Sequence, residues 1–441
     1  MIILSSITCI SAAPINENAD TSSVKINDEI GNFSNLDNEI SKSIGLKTLN
    51  LTKDYIFDPS TDEQYIDGIT INADNLTIDG KGHIIDAKNQ AKVFNIKSEN
   101  VILKNINIIN GYSNTDGGSL YWSGTNGTII NSTFKDCYTS KYGGAVSFRW
   151  GGTVLNSYFE NNKAGTGGGV DFEGIATIIN STFKNNSAKF QGGAVSFYGL
   201  SSVKKTTFIN NTGGDGGTIY AESECLVEDS VFLQNFAIGY GAGIYFMTSG
   251  SVMNSSFTQN TALLEGSAIL IKTGDLKIFN TNFNYNVANK GYSIYILSEN
   301  AELENLSFYS EATNFSSEIY VENTKLNSNN LTFINNTKTI TAEPQKVIKK
   351  KTAIKCSSKT FKSRNKNKKY VVALKSGKTL LKSKKIKLTI NKKVYSKKTN
   401  SKGKVTFKIK LSKKGKYKAI IRFGGDKLYK SSKKIVKIKI K

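Results

Sequence analysis

Apolar and polar residues alternate along this chain in short bursts rather than in long stripes. Val146-Ser147-Phe148 and Val195-Ser196-Phe197 place apolar side chains at every second position, which is strand periodicity. The bursts return at a near-constant interval. A Phe after an N-S-T-like triplet stands at Phe134, Phe159, Phe183, Phe208, Phe232, Phe257, Phe283, Phe308 and Phe333, with spacings of 25, 24, 25, 24, 25, 26, 25 and 25 residues. A second column runs through Leu120, Val146, Val170, Val195, Ile219, Ile244, Ile269, Ile294 and Ile319. A unit this short cannot bury its own apolar face and must stack on its neighbours. Two or three short strands per unit, punctuated by Asn and Gly, predict one coil of a right-handed parallel β-helix. A leucine-rich repeat would carry Leu-x-x-Leu-x-Leu and a helical half, and this pattern has neither.

Both apolar columns are expected to point inward, each residue lying about 4.8 Å from its equivalent in the next coil. Three residues before the Phe, Asn recurs at Asn131, Asn156, Asn180, Asn254, Asn280, Asn305 and Asn330. Three residues after it, Asn recurs at Asn162, Asn186, Asn211, Asn235, Asn260, Asn286 and Asn336. Asn tolerates the left-handed backbone of a tight corner, and stacked amides can bond along a column, so both sets are expected at corners. Less regular coils are expected upstream at residues 69–71, 76–78, 93–96, 101–103 and 106–109. Ile30, Phe33, Leu36, Ile40 and Ile44 have helical spacing and predict a short helix that caps the open end of the stack.

From about Lys351 the repeat stops. Alternation resumes over residues 386–390, 405–411 and 436–440, with turn signals at 400–403, 414–415 and 424–426. Short strands separated by turns predict a small antiparallel Ig-like β-sandwich. Expected boundaries are a truncated signal segment at 1–13, a linker and helix cap at 14–50, the β-helix at 51–340, a linker at 341–350 and the Ig-like domain at 351–441.

Charge sharpens that division. Residues 345–441 hold 37 Lys and Arg against one acid, Asp426, a net +36, so the whole-chain +24 leaves −12 on the first 344 residues. Lysine on solvent faces discourages edge aggregation, but a charge this large strains the fold by self-repulsion. An anionic polymer at the cell surface, such as cell-wall material, is therefore the expected partner of this half. No recognition motif or interleaved aromatic residues point to nucleic acid. The opening MIILSSITCISAA reads as a secretory signal lacking its basic n-region. No later stretch reaches the ~18–20 apolar residues that would span a bilayer. Without Cys9, the widely spaced Cys137, Cys225 and Cys356 make neither a disulfide framework nor a metal site.

At this point the motifs have a counterpart. IDGKGHIID at residues 78–86, GGAVSF at 143–148 and 192–197, and the NSTFKNN units resemble the adhesin-like proteins of methanogenic archaea. TNSKGKVT at 399–406 and the stretch from Tyr417 to Tyr429 are similar to the Ig-like repeats of the same proteins. The β-helical half also resembles bacterial polymorphic outer-membrane and autotransporter passenger repeats. The resemblance implies an extracellular protein held at the cell surface or wall. There is one Ig-like unit and no visible C-terminal anchor, a departure from larger members.

Parallel β-helices also house pectate lyases and polygalacturonases, so fold alone does not exclude catalysis. Glycoside hydrolysis needs two positioned carboxyl groups, and the acids here are mostly singletons: Asp136, Glu160, Asp215 and Glu265. Asp171 and Glu173 share the outward side of one strand and are expected to be solvated. Arg149, the nearest outward base, is expected to stand alone, and His83 is read as structural. No catalytic residue, metal site or cofactor is therefore expected. The residue beside the inward aliphatic column is Tyr121, Tyr220, Tyr245, Tyr295 and Tyr320, with Leu270 interrupting. An exposed aromatic stripe of that kind can stack on sugar rings or hold a protein partner. Trp122 is expected in the core and Trp150 at a partly exposed corner. The reading is a non-catalytic, adhesin-like surface protein that binds glycans, wall polymers or other cells. The alternatives are a wall-associated polysaccharide lyase or glycoside hydrolase, and a purely structural wall component.

Overall fold

The chain is described from a computed structural model covering residues 30–43, 45–289, 291–310, 318–322, 324–334, 339–342, 351–365, 367–377, 379–426 and 429–441. Strands of a few residues, joined by residues with left-handed backbone, close each repeat into a coil. In one coil, Gly127–Ile130 and Thr133–Lys135 are separated by Asn131 at φ 49°. Asp136 at φ 56° then turns the chain into Tyr138–Thr139, and a glycine loop leads to Val146–Phe148. The pairing is parallel and keeps register, as in Phe134 to Phe159 to Phe183 and Leu120 to Val146 to Val170. Stacking produces three sheets of 22, 11 and 8 strands, called here sheets 1, 2 and 3. The chain is therefore a parallel β-solenoid of about eleven turns. Its final pairing, Lys325–Ile334 with Thr339–Ala342, is antiparallel and lies across the end of sheet 1.

Both expected inward columns are buried. The Phe rings from Phe134 to Phe333 stack in sequence with centroids 4.5–5.3 Å apart. Trp122 lies in a third inward column with Phe148, Phe172 and Phe197, and stacks on Phe148 at 5.0 Å, whereas Trp150 is 60% exposed.

The two Asn columns have different jobs, which corrects the expectation that both make corners. Asn131, Asn156, Asn180, Asn254, Asn280, Asn305 and Asn330 do turn the chain, with φ between 49° and 55°. The following corner is made one residue earlier than expected, by Asp136, Asn161, Asn185 and Asn210. That frees Asn162, Asn186, Asn211, Asn235 and Asn260 to point inward, fully buried, as a ladder. Asn186 is representative. Its backbone N–H and its Nδ2 donate to Oδ1 of Asn211 at 3.0 and 3.1 Å, and Nδ2 also donates to the Phe159 carbonyl at 3.0 Å. Asn336 lies outside the described residues.

The cap helix, Phe33–Lys42, is shorter than the periodicity suggested. Phe33, Leu36 and Ile40 join the solenoid core, but Ile30 precedes the helix and is exposed, and Ile44 lies outside the described residues. Asn32 and Asn35 form a reciprocal capping box. The buried Asp62 adds bonds from Phe33 N, Ser34 N, Ser34 Oγ and Asp58 N at 2.7–3.0 Å. A carboxylate from outside the helix thus satisfies its free N-terminal amides.

Residues 351–441 have their own apolar core. Ala353–Lys355, Lys369–Ser376, Thr379–Leu380 and Lys404–Lys408 form one sheet. Lys359–Phe361, Ser432–Ile440, Gly415–Phe423, Lys385–Ile390 and Lys393–Lys398 form the other. All pairings are antiparallel except Lys359–Phe361 with Ser432–Ile440. The signal segment expected at 1–13, and residues 343–350 of the expected linker, lie outside the described residues. Among the described residues no helix is long and apolar enough to cross a membrane.

Candidate functional site

Sheet 2 departs from simple alternation. Its strands at 69–71, 94–96 and 120–122 bury the two flanking residues and leave the middle, outward one half-exposed. In the six strands Val146–Phe148, Val170–Phe172, Val195–Phe197, Ile219–Ala221, Ile244–Phe246 and Ile269–Ile271, the outward residue is buried as well. Parallel register lines these residues up as Tyr121, Ser147, Asp171, Ser196, Tyr220, Tyr245, Leu270, Tyr295 and Tyr320. The sequence-derived tyrosine stripe is thus the two ends of a longer row, whose centre is Ser, Asp and Ser.

Glycine explains the cover. The loop entering each strand folds back over the sheet through a residue with positive φ, Gly167 at 64° and Gly192 at 61°. A Cβ on Gly167 would sit 3.0 Å from the Asp171 Cβ, and one on Gly192 would sit 2.4 Å from the Ser196 Oγ. Only glycine lets the backbone approach that closely. One rim of the row is made by the residues just before the positive-φ glycines, Asp116, Tyr142, Thr166, Gln191, Asp215 and Tyr240, with Tyr142, Thr166, Gln191 and Asp215 bridged in parallel succession. The other is the next outward residue of each strand, Arg149, Glu173, Tyr198, Glu222 and Met247.

Asp171 is the centre of the site. It is fully buried, not solvated as expected, and neither carboxylate oxygen has a hydrogen-bond partner. Burial, and then the nearby charges of Glu173 and Asp116, hold its pKa well above the ordinary carboxylate range. The Ser147 Oγ, one coil away, and the Asn95 Oδ1, three coils away in the same row, are also buried without partners. Native structures leave few such groups. Of the seven such atoms among the described residues, four lie in this one outward row, and the other three are Trp122 Nε1, Ser201 Oγ and Asn284 Oδ1. Ser196 Oγ donates to the Gln191 carbonyl at 3.2 Å.

Around this floor the rims supply charge and aromatic surface. Arg149 does not stand alone as expected, since its Nε lies 3.6 Å from the Glu173 Oε2. Its guanidinium also lies 5.7 Å from the Trp150 ring centroid. Burial and then the Asp171 charge raise the Tyr198 pKa, so this phenol stays protonated. Tyr220 and Tyr245 stack at 5.6 Å, with Tyr240 edge-on to Tyr245 at 6.4 Å. Both floor tyrosines are buried, 5% and 8% exposed, rather than projecting. Burial pushes the Tyr245 phenol up to about 12. Tyr295 and Tyr320 stack at 4.5 Å and are half-exposed. At the other end the Lys92 ammonium lies 5.3 Å from the Tyr121 ring centroid and donates to the Thr115 Oγ1 at 3.1 Å. Burial lowers the Lys92 pKa to about 8, against the opposing pull of Asp67 and Asp116.

Asp215 lies in the rim and accepts from Tyr240 N at 3.3 Å, with its pKa raised by burial. His83 is far from this row in function: its Nδ1 meets Asp54 at 3.1 Å, and the same carboxylate accepts from Ile84 N, so the ring fastens a corner. Glu160 is held between Lys135 and Lys184 at 3.1 and 3.2 Å.

Sequence reasoning missed Lys92, Ser147, Ser196, Tyr198 and Tyr240. The middle position of each VSF-like triplet was the available signal. It identifies the row, but Ser in an outward position carries no chemical mark until its burial is known. The row offers a buried carboxyl whose protonated form is favoured by burial, and hydroxyls that both donate and accept, bordered by aromatic faces. That combination suits a polyhydroxylated ligand.

Comparison with known proteins adds three findings. The family model of the Chlamydia polymorphic membrane protein repeat matches residues 205–222. No curated protein matches the sequence. Among the solved structures that resemble the chain are two alginate lyase complexes. A complex of the alginate lyase AlyF-OU02 with G6 has a TM-score of 0.42 at 12% identity, covering 70% of this chain and 84% of the other. A PL6 alginate lyase bound to a trisaccharide has a TM-score of 0.43 at 12% identity, covering 69% and 85%.

Proposed function

We propose that this chain is a non-catalytic, adhesin-like surface protein whose solenoid binds a saccharide along the outward row of sheet 2. The observation that carries this reading is the unpartnered, buried pair Ser147 and Asp171, flanked by tyrosines. Leaving such groups unsatisfied costs about 1–3 kcal/mol each, and a sugar hydroxyl that displaces the covering loops at Gly167 and Gly192 would satisfy them. Further along the same row the half-exposed stack of Tyr295 and Tyr320 provides the flat apolar surface that sugar rings pack against. In this reading the protein is extracellular, of the archaeal adhesin-like type. Residues 51–340 form the binding rod, and 351–441 form an Ig-like module that holds anionic wall material.

A second reading has one observation of its own. A lysine with its pKa brought down to about 8 and a carboxyl with its pKa raised lie along the same row, the tuning that acid–base catalysis uses. A β-helical polysaccharide lyase or hydrolase would need it. One experiment separates the two: the full chain is screened against a glycan and polysaccharide panel while the same polymers are assayed for reducing ends and unsaturated products. Saturable binding without products, weakened by Asp171→Asn and Tyr245→Ser, supports the binding protein. Turnover would replace it with the enzyme. Neither binding nor turnover would leave a structural wall component.

A further inference from the structure

The outer face of the five-stranded C-terminal sheet is a lattice of cations placed directly opposite one another. Antiparallel register sets Lys416 against Lys439, Lys418 against Lys437, and Arg422 against Lys433. It also sets Lys387 against Arg422, and Lys385 against Lys398. All of these side chains are exposed. Like charges directly opposite on neighbouring strands destabilise a sheet. The one acid of this half is Asp426, which pairs with Lys384 at 2.8 Å, and a single carboxylate cannot neutralise these rows. Solubility alone would not select one face. The four-stranded sheet faces solvent too, and its outer register sets only one pair of cations opposite each other, Lys369 with Lys408.

Between the cation rows runs an apolar strip in register: Ile435, Ile420, Thr389 and Val394. Ile435 is 46% and Val394 62% exposed. Cations therefore recur at the strand spacing of about 4.8 Å across the sheet, and apolar contact separates the rows along the strands. A simple polyanion such as polyphosphate has no apolar surface to lay on that strip. A sugar ring does.

We propose that this face is a binding site for an acidic polysaccharide, whose carboxylates meet the Lys387–Arg422–Lys433 row while sugar faces cover Ile420 and Ile435. The proposal rests on the reading that the C-terminal half holds anionic wall material, and it assigns that role to one face and one ligand class.

The test uses the full chain and polygalacturonate, with dextran and polyphosphate as comparison polymers. Arg422→Gln, Lys387→Gln and Lys433→Gln are combined in one variant. A control of equal charge combines Lys355→Gln, Lys369→Gln and Lys404→Gln. The row variant should weaken polygalacturonate binding about tenfold or more and flatten its salt dependence, while the control loses far less. Its melting temperature should hold or rise, because opposed like charges have been removed, so lost binding will not reflect lost folding. Equal losses in both variants would overturn the site while leaving the wall-binding reading intact. Polyphosphate held as tightly as polygalacturonate would overturn the acidic-sugar assignment. A wild-type chain that holds neither polymer would overturn the proposal and the wall-binding reading together.

Discussion

Asn211 is the most instructive single residue to remove. It sits near the middle of the buried ladder, and its Oδ1 accepts from both the backbone N–H and the Nδ2 of Asn186 at 3.0 and 3.1 Å. Its own Nδ2 donates to the Phe183 carbonyl and to the Asn235 Oδ1, both at 3.0 Å. Asn211→Ala orphans a buried amide, a buried side-chain donor and a buried carbonyl. At about 1–3 kcal/mol for each unsatisfied group, and with partial relaxation, the expected loss is about 3–6 kcal/mol. Asn156→Ala is the comparison. It removes an exposed corner amide and forces alanine into left-handed backbone, a cost of about 1–2 kcal/mol. Both tryptophans, Trp122 and Trp150, lie in the solenoid, so urea unfolding followed by their fluorescence reports on the solenoid alone. The midpoint should fall with the slope unchanged. Asn211→Leu restores volume without the bonds and should cost at least as much as alanine. A smaller midpoint shift for Asn211→Ala than for Asn156→Ala would refute the ladder as a stabilising element.

Other outcomes follow from the same geometry. The Asp171 pKa is raised in the folded chain, so the native state binds more protons than the unfolded state above the ordinary carboxylate range. Stability contributed at low pH is then lost as pH rises from the unfolded pKa of ~3.9 through the folded one, and Asp171→Asn should remove that decline in a series of melting curves. Lys92 has the opposite sign. With a folded pKa near 8, its burial penalty is largest below that pH and fades towards the unfolded value of ~10.4, so Lys92→Met should stabilise most at neutral pH and little near pH ~10, again by melting curves. Asp62→Ala should free the cap, orphaning the Phe33 and Ser34 amides at about 1–3 kcal/mol each and accelerating amide hydrogen exchange in the helix Phe33–Lys42 without changing exchange in the distal coils. Cys137 and Cys225 are buried with thiols pushed up to about 12, so they should resist a thiol reagent until the chain unfolds, while Cys356, half-exposed, reacts in the native state.

The repeat was legible because its physics is local and periodic. A 25-residue unit with two apolar columns has no way to bury them except by stacking, so the coil and the inward roles of Phe134 or Val146 follow from spacing alone. The cap helix was legible for the same reason, apart from its ends, where Ile30 had the right spacing but no partner to bury against. Alternation likewise marked three of the nine C-terminal strands, at 386–390, 405–411 and 436–440. The sequence could not separate the corner Asn from the ladder Asn. Asn161 and Asn162 are adjacent and chemically identical, and only backbone closure decides that the first turns the chain while the second points inward. Nor could it show that Asp171 is dry. Its place on the outward side was correctly read, but burial depends on how closely the loops at Gly167 and Gly192 lie over the neighbouring strands, a distance set by three-dimensional packing. The same holds for the opposed lysines: composition supplied the charge, and antiparallel register alone put Arg422 between Lys387 and Lys433. Periodicity determines which side of a strand a residue faces. Only the assembled structure determines what lies above it.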